Sequence, residues 1–222
     1  MPAFPTTRLD DLMPLILPHA KDCPEPYAAL QARLAAIEFC EKTRCWRHII
    51  TVPMTINHSL VVAPMNATIH EFEEATFNGQ PLTPVQYTEA DPTELAETAQ
   101  SGLPKWITQI APGEVSVMPF APGTLRLSVF LKPRHGQMFG VDSDSPLFDA
   151  YNVIPEFLFA QHAASLADGA LARILMTEGE PFFSPQRAAL HGARFKEACD
   201  ARFSANMRGQ QRAPIRTNAR WM

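Results

Sequence analysis

The side chains of this sequence that could do chemistry are spread along the chain rather than grouped. Seven histidines occur singly, without the HxH, HExxH or His and Cys spacings that bind zinc. His162 is the most suggestive, because a neutral imidazole in its apolar stretch could act as a base, but a core or interface histidine is the ordinary interpretation. The sequence also lacks GxSxG, a Walker loop and GxGxxG. We therefore expect no enzyme, no cofactor and no bound metal.

Thiols and carboxylates are equally dispersed. Asp142 and Asp144 loosely suggest a calcium loop, but the Gly and Glu that an EF-hand requires are absent, so a solvated loop is expected. The cysteines form no CxxC or zinc-like spacing, which predicts reduced structural thiols without a disulfide framework. They are Cys23, Cys40, Cys45 and Cys199.

The carboxyl end carries an unusual concentration of positive charge. Residues 201–222 contain no Asp or Glu, and their five arginines are Arg202, Arg208, Arg212, Arg216 and Arg220. Since the net charge of the whole chain is −4, the first 200 residues carry −9. Such an asymmetry indicates a segment that binds an acidic or polyanionic partner. The alternative is a disordered tail that only increases the solubility of the protein.

The tail is expected to be an extended arm. Its arginines recur every fourth residue, but Gly209 and Pro214 oppose one continuous helix. Arginine forks suit carboxylates or phosphates, and Ile215 and Trp221 would serve as apolar anchors.

Two helical patterns in residues 154–207 precede this arm. The first is apolar on nearly every face, and small residues such as Ala160 and Ala164 would let another helix approach closely. The second opens with Ser184 and Pro185, a good helix start. Its expected buried stripe is Ala188, Phe195, Cys199, Phe203 and Met207. The short link predicts an antiparallel helical hairpin.

The amino end is also helical in pattern. Leu9, Leu12, Met13 and Ile16 have helical spacing, and Pro14 predicts a short or broken helix. A cleaner helix is expected over residues 26–42, packed on the carboxyl-terminal hairpin. Its predicted core-facing stripe is Tyr27, Leu30, Leu34 and Ile37, supported by Ala36 and Cys40.

The middle of the chain has the pattern of β-strands. Strand-like runs cover residues 46–52, 59–62, 68–77, 106–110, 114–119 and 124–131. Asn78-Gly79 predicts a hairpin, and Leu125, Leu127, Val129 and Leu131 alternate with Arg126, Ser128 and Phe130. The predicted fold class is α+β. Residues 1–44 and 151–207 would form a helical bundle, 45–150 an inserted, mostly antiparallel β domain, and 208–222 the arm.

Composition sets the remaining limits. With 46% hydrophobic residues, 222 residues can bury a sizeable core. No uncharged apolar run of about 18 residues is present, and the first residues lack a secretory signal pattern, so we expect a protein made and used without export.

Two regions of the chain resemble the head-to-tail connector, or adaptor, proteins of tailed bacteriophages, of the podovirus tail tubular protein A type. One region comprises residues 11–18, 23–26 and 35–47. The other comprises residues 166–176 and 195–208 with the arginine arm. The matches are patterns in the helical ends and do not include the β region.

The resemblance implies a virion neck protein that assembles in the host cytoplasm into a ring of about twelve copies beneath the portal vertex. The bundle would form the ring, the arm would reach the portal protein, the other domain would meet a tail or nozzle protein, and genomic DNA would pass through the channel. The implied portal-binding residues are Arg208, Arg212, Pro214, Ile215, Arg216, Arg220 and Trp221.

An acidic channel would let DNA slide without sticking, which agrees with the −9 charge outside the tail. Two other classes remain open. A nucleic-acid-binding module would use the basic tail on phosphates, and an enzyme would need the scattered His and Cys side chains to converge.

Overall fold

The structure is a computed structural model that describes residues 5–55, 60–86, 103–134 and 152–207. Within those residues the protein is mixed α and β, with four α-helices and ten strands. The described residues fall into two compact units. The strand unit is drawn from Met1–Arg8 and Trp46–Glu156, and the helical unit from Leu9–Cys45 and Phe157–Met222.

The larger sheet of the strand unit is built around one long strand. Its order is β2-β9-β4-β5 and every pairing is antiparallel. The predicted alternation in the central strand is present on one face, where Leu125, Leu127, Val129 and Leu131 are buried. The strands are β2 (Arg47–Met54), β4 (Ala67–Phe77), β5 (Gln80–Pro81) and β9 (Gly123–Pro133).

A second four-stranded sheet has the order β3-β8-β7-β6. Its pairings are antiparallel except for β6 with β7, which is parallel. The amide of Ile69 in β4 donates to the Pro112 carbonyl at 2.8 Å, which ties the two sheets together. The strands are β3 (Leu60–Val61), β6 (Thr83–Pro84), β7 (Trp106–Ala111) and β8 (Glu114–Met118).

The predicted hairpin at Asn78-Gly79 is confirmed. Both residues have positive φ, 46° and 82°, as a tight turn between β4 and β5 requires. The Asn78 side-chain oxygen also accepts from the Thr124 amide at 2.8 Å, so the turn is fixed to β9.

The opposite face of β9 differs from the expectation. Ser128 and Phe130 are buried, because Arg47 of β2 and Glu73 of β4 cover them. The Ser128 hydroxyl donates to Glu73 at 2.6 Å, and the Arg47 guanidinium pairs with the same carboxylate at 2.5 Å. The Arg47 guanidinium carbon also lies 5.4 Å from the Phe130 ring centre. A central strand has neighbours on both sides, and their long side chains can cover its polar face.

A short antiparallel pair was not expected at all. Strand β1 (Thr6–Arg8) pairs with β10 (Val153–Pro155), so both ends of the strand unit's sequence meet. The Glu156 amide donates to the Pro5 carbonyl at 2.9 Å and extends the pairing.

The helical unit begins with the broken helix that Pro14 predicts. A 3-10 turn over Leu9–Leu12 leads into α1 (Met13–Ile16) and a second 3-10 turn, Leu17–His19. Leu9, Leu12, Met13 and Ile16 are all buried. The longer helices are α2 (Glu25–Thr43), α3 (Glu156–Ile174), whose first residue lies in the strand unit, and α4 (Pro185–Met207).

Helix α2 confirms the predicted stripe only at its carboxyl-terminal end, where Ile37 and the supporting residues Ala36 and Cys40 are buried. Leu30 is 37% exposed, and Leu34 and Tyr27 are only half-buried. The buried positions are mostly small, and they include Ala28, Ala32, Ala35, Ala36 and Phe39. Because α2 is apolar on several faces, its sequence does not define a single buried stripe. The alanine-rich face is the one that is buried, since small side chains let neighbouring helices approach closely.

The stripe of α4 is right in its first half and wrong at Phe203. Ala188, Phe195 and Cys199 are buried, whereas Phe203 is 36% exposed and His191, outside the predicted stripe, is buried. Each four-residue step turns about 40° beyond one full turn, so two steps from Phe195 carry Phe203 out of the buried face.

Candidate interaction surface of the helical unit

Helices α3 and α4 form the hairpin that precedes the arm. The Ser184 amide donates to the Leu175 carbonyl at 2.9 Å and closes the link, and Gly179 in that link has φ 84°. Gly169 lies against Phe195, and Ala172 lies against Gly192, so the two helices run in opposite directions. The predicted antiparallel hairpin is therefore present.

Helix α3 packs closely against its neighbours at Gly169, where there is no side chain. A Cβ at Gly169 would lie 2.8 Å from the Phe195 ring and 3.0 Å from the Ala35 Cβ. Only glycine therefore admits the Phe195 ring of α4 and the Ala35 methyl group of α2 at this level without displacement. Glycine here is required by space, since its φ is not positive.

Next to this crossing, Asp168 and His191 join α3 to α4. Asp168 Oδ1 and His191 Nδ1 are 2.6 Å apart, and His191 is buried. The His19 ring lies edge-on to His191, with centroids 6.1 Å apart. These contacts join three segments of the helical unit.

An open groove of about 480 Å³ lies on the same unit. Its lining includes the small residues Gly169, Ala172 and Gly192. Its charged lining residues are Glu38, Lys42, Arg173 and Lys196, three cations and one carboxylate. The groove is therefore positively charged overall.

Glu38 forms ion pairs with two of the three cations that line this groove. Its carboxylate accepts hydrogen bonds from Lys42 on the same helix, at 2.5 Å, and from Arg173 on α3. Burial alone would raise the Glu38 pKa, but the hydrogen bond from Lys42 and the charge of Arg173 outweigh it, and the pKa lies below its ordinary value. The Glu38 hydrogen bond in turn raises the pKa of Lys42. Both groups stay ionised at neutral pH.

His162 lies half-buried beside Phe39, with ring centroids 4.8 Å apart. Burial lowers its pKa, and the positive charge of Arg202 lowers it further, so the imidazole is neutral at pH 7. Its Nε2 has no hydrogen-bond partner among the described residues. This environment fits a packed histidine.

The cysteines are free thiols, and three of them come together in the helical unit. Burial raises the pKa of the Cys40 thiol, and burial raises that of Cys199 on α4 to about 11, with smaller contributions from the neighbouring thiols. Sequence reasoning missed this cluster. In the part of the chain that the structure describes, no three His, Cys, Asp or Glu side chains could hold a metal ion.

The expected portal-binding residues lie outside the described residues. These are Arg208, Arg212, Pro214, Ile215, Arg216, Arg220 and Trp221. The same is true of Asp142 and Asp144 in the expected solvated loop. Helix α4 continues to Met207, the residue directly before the arm.

Comparisons with known proteins do not place this chain in a family, because no family model and no curated protein matches it. Among the described residues, no helix has both the length and the apolar character needed to cross a membrane.

Proposed function

We propose that this chain is a structural head-to-tail adaptor of a phage virion, which forms a ring of about twelve copies between the portal and the tail and continues the DNA channel. In this proposal the helical unit forms the ring-building bundle, and the strand unit forms the inserted domain that faces the tail or nozzle protein. Residues 208–222 form the portal-binding arm. The protein acts by assembly and catalyses no reaction.

One packing observation carries the proposal. Gly169 lies against both Ala35 and Phe195, and these three residues come from the three helical stretches on which the resemblance rests. Residues far apart in sequence therefore meet at one crossing that leaves no room for a Cβ. The resembling stretches form a single packed unit, as a common bundle would require.

The charge distribution supports an arm that grips a partner protein. The arm begins directly after α4, and from residue 201 onward the chain has five arginines and no carboxylate side chain. An arginine guanidinium binds a carboxylate through two parallel hydrogen bonds. Trp221 would serve as an apolar anchor that is buried when the arm binds its partner.

Deletion of residues 208–222 from the full chain tests the proposal. We expect the truncated protein to fold normally but to lose attachment to the portal protein, measured by co-sedimentation with purified portal rings. Its affinity for double-stranded DNA should not change. As a matched control, Arg208, Arg212, Arg216 and Arg220 are replaced together by Lys, which keeps the charge but removes the forks. This variant should also attach more weakly.

The nucleic-acid-binding alternative gives the opposite pattern. It requires DNA binding that falls steeply with salt, survives the Arg→Lys exchange and disappears on deletion of the arm, while portal attachment is unaffected. That result would overturn the adaptor proposal.

A further inference from the structure

The groove on the helical unit combines positive charge with apolar surface. Its volume is about 480 Å³, and its lining residues come from α2, from α3 and the segment just after it, and from α4. Lys42, Arg173 and Lys196 line it together with a single carboxylate, that of Glu38. Three cations and one anion leave two positive charges uncompensated within the lining. Such a groove attracts a ligand that carries several negative charges.

The cations are positioned by their neighbours but remain accessible. Lys42 Nζ lies 2.5 Å from a Glu38 carboxylate oxygen and 6.0 Å from the centre of the Phe195 ring. The Arg173 guanidinium pairs with the other oxygen of the same carboxylate. The Lys42 side chain is half exposed, that of Arg173 is about one-third exposed, and Lys196 is exposed. An ammonium has three N–H donors and a guanidinium has five, so each can bind a further carboxylate.

The rest of the lining is apolar and mostly small. Met176, just beyond α3, is 56% exposed, and a flexible methionine suits a surface that adapts to a ligand. Ala172 of α3 and Gly192 of α4 occupy little volume, since even a Cβ added at Gly192 would be 3.7 Å from that of Ala172. Small side chains in a groove between helices let the backbone of a further helix approach closely.

The remainder of the helical unit is acidic, which limits the size of the ligand. Residues 9–45 and 157–207 contain 11 Asp or Glu and 9 Lys or Arg side chains. Without the four charged residues that line the groove, 10 acidic and 6 basic side chains remain. A long polyanion such as DNA would be repelled by this net negative charge beyond the groove. A short acidic segment of a protein would contact only the groove itself.

We propose that this groove binds an acidic, amphipathic helix of a partner protein. Carboxylates one turn apart on that helix pair with Lys42, Arg173 and Lys196. Its aliphatic side chains contact Met176 and Ala172. The inference goes beyond the adaptor function and does not depend on it, because the portal-binding arm comprises residues 208–222 and the groove lies on the helices.

The test uses a labelled synthetic peptide of about 15 residues, in which Glu and Leu occupy opposite sides of a helix and Ala fills the other positions. Its binding to the full chain is measured by fluorescence anisotropy. The control peptide has Gln in place of every Glu. We expect the acidic peptide to bind about tenfold more tightly than the control, as three exposed ion pairs would provide.

Variants of the full chain locate the peptide. Lys196→Gln should weaken its binding about threefold, whereas Lys21→Gln, at an exposed lysine outside the groove lining, should have no effect. Gly192→Leu fills the groove without a change of charge and should weaken binding about tenfold. Glu38→Gln removes the carboxylate that competes for Lys42 and Arg173, and it should tighten binding about threefold.

A folding defect cannot produce this pattern, because Glu38→Gln loses ion pairs and yet gains affinity for the peptide. The proposal is overturned if the acidic peptide does not bind or if the Gln peptide binds as tightly. Equal affinities of Lys196→Gln and Lys21→Gln would also overturn it and assign the peptide to the basic arm. So would a loss of double-stranded DNA binding in Lys196→Gln, which would make the groove a nucleic-acid site. If Lys196→Gln instead dissociates an oligomer that forms without peptide, the groove is a contact between copies and the proposal fails.

Discussion

At the scale of single residues, the helical unit depends on places where a side chain is absent. Gly169 and Gly192 both lie inside helices of the α3 and α4 hairpin, where glycine is intrinsically unfavourable. Their surroundings differ. A Cβ at position 169 would be 2.8 Å from the Phe195 ring, whereas at position 192 the nearest atom is the Ala172 Cβ at 3.7 Å.

The two glycines therefore make a matched pair of substitutions. Gly192→Ala should stabilise the protein by up to about 1 kcal/mol, because it gains helix propensity without a clash. Gly169→Ala has the same gain but must displace Phe195, and we expect a net loss that puts it about 2 kcal/mol below Gly192→Ala. Urea unfolding followed by circular dichroism measures both. Equal stability of the two variants would mean that the crossing at Gly169 is looser than described.

At the scale of elements, Glu38 connects α2 to α3 by accepting from Lys42 and Arg173. The folded-state pKa of Glu38 is below its ordinary value of 4.5, so these pairs add stability that is fully present above that pH. The contribution is lost as the pH falls through the folded-state pKa.

Glu38→Gln should therefore lower the free energy of unfolding by about 1 kcal/mol or less at pH 7, because Glu38 and Arg173 are about one-third exposed and Lys42 is half exposed. The difference from the unaltered protein should shrink below pH 4.5. Chemical unfolding at several pH values measures it, with Glu178→Gln in the α3 and α4 link as the control. A difference that persists unchanged in acid would contradict the assigned pairing.

Sequence patterns predicted the elements better than the faces they bury. Turn chemistry is local, so Asn78-Gly79 and Pro14 located a hairpin and a broken helix correctly. Burial is decided by neighbours distant in sequence, and for this reason Leu30 and Phe203 are more exposed than expected and Ser128 is buried. The pairing of β1 with β10 likewise joins residues about 150 positions apart in the sequence, and no local sequence pattern predicts it. The groove, whose lining residues come from α2, α3 and α4, follows from the same long-range packing.

At the scale of the whole molecule, the proposed ring needs a surface on which a neighbouring copy can lie close. Ala160 and Ala164 lie one helical turn apart on α3, and both small side chains are exposed. Small side chains at such a face let two backbones approach closely. The arm alone could attach one copy to a partner, but a ring also requires contact between copies.

Ala164→Arg on that face should block ring formation without unfolding the protein, because an exposed arginine disturbs no core packing but prevents close approach of another helix. Ala189→Arg, on an exposed position of α4, is the matched control and should assemble normally. Native mass spectrometry with the portal protein present distinguishes the ring, at about twelve times the 24.6 kDa chain mass, from single copies. A ring formed equally well by both variants would show that α3 does not face the neighbouring copy. The reverse pattern, with only Ala189→Arg blocked, would assign the contact to α4 and leave the role of the arm intact.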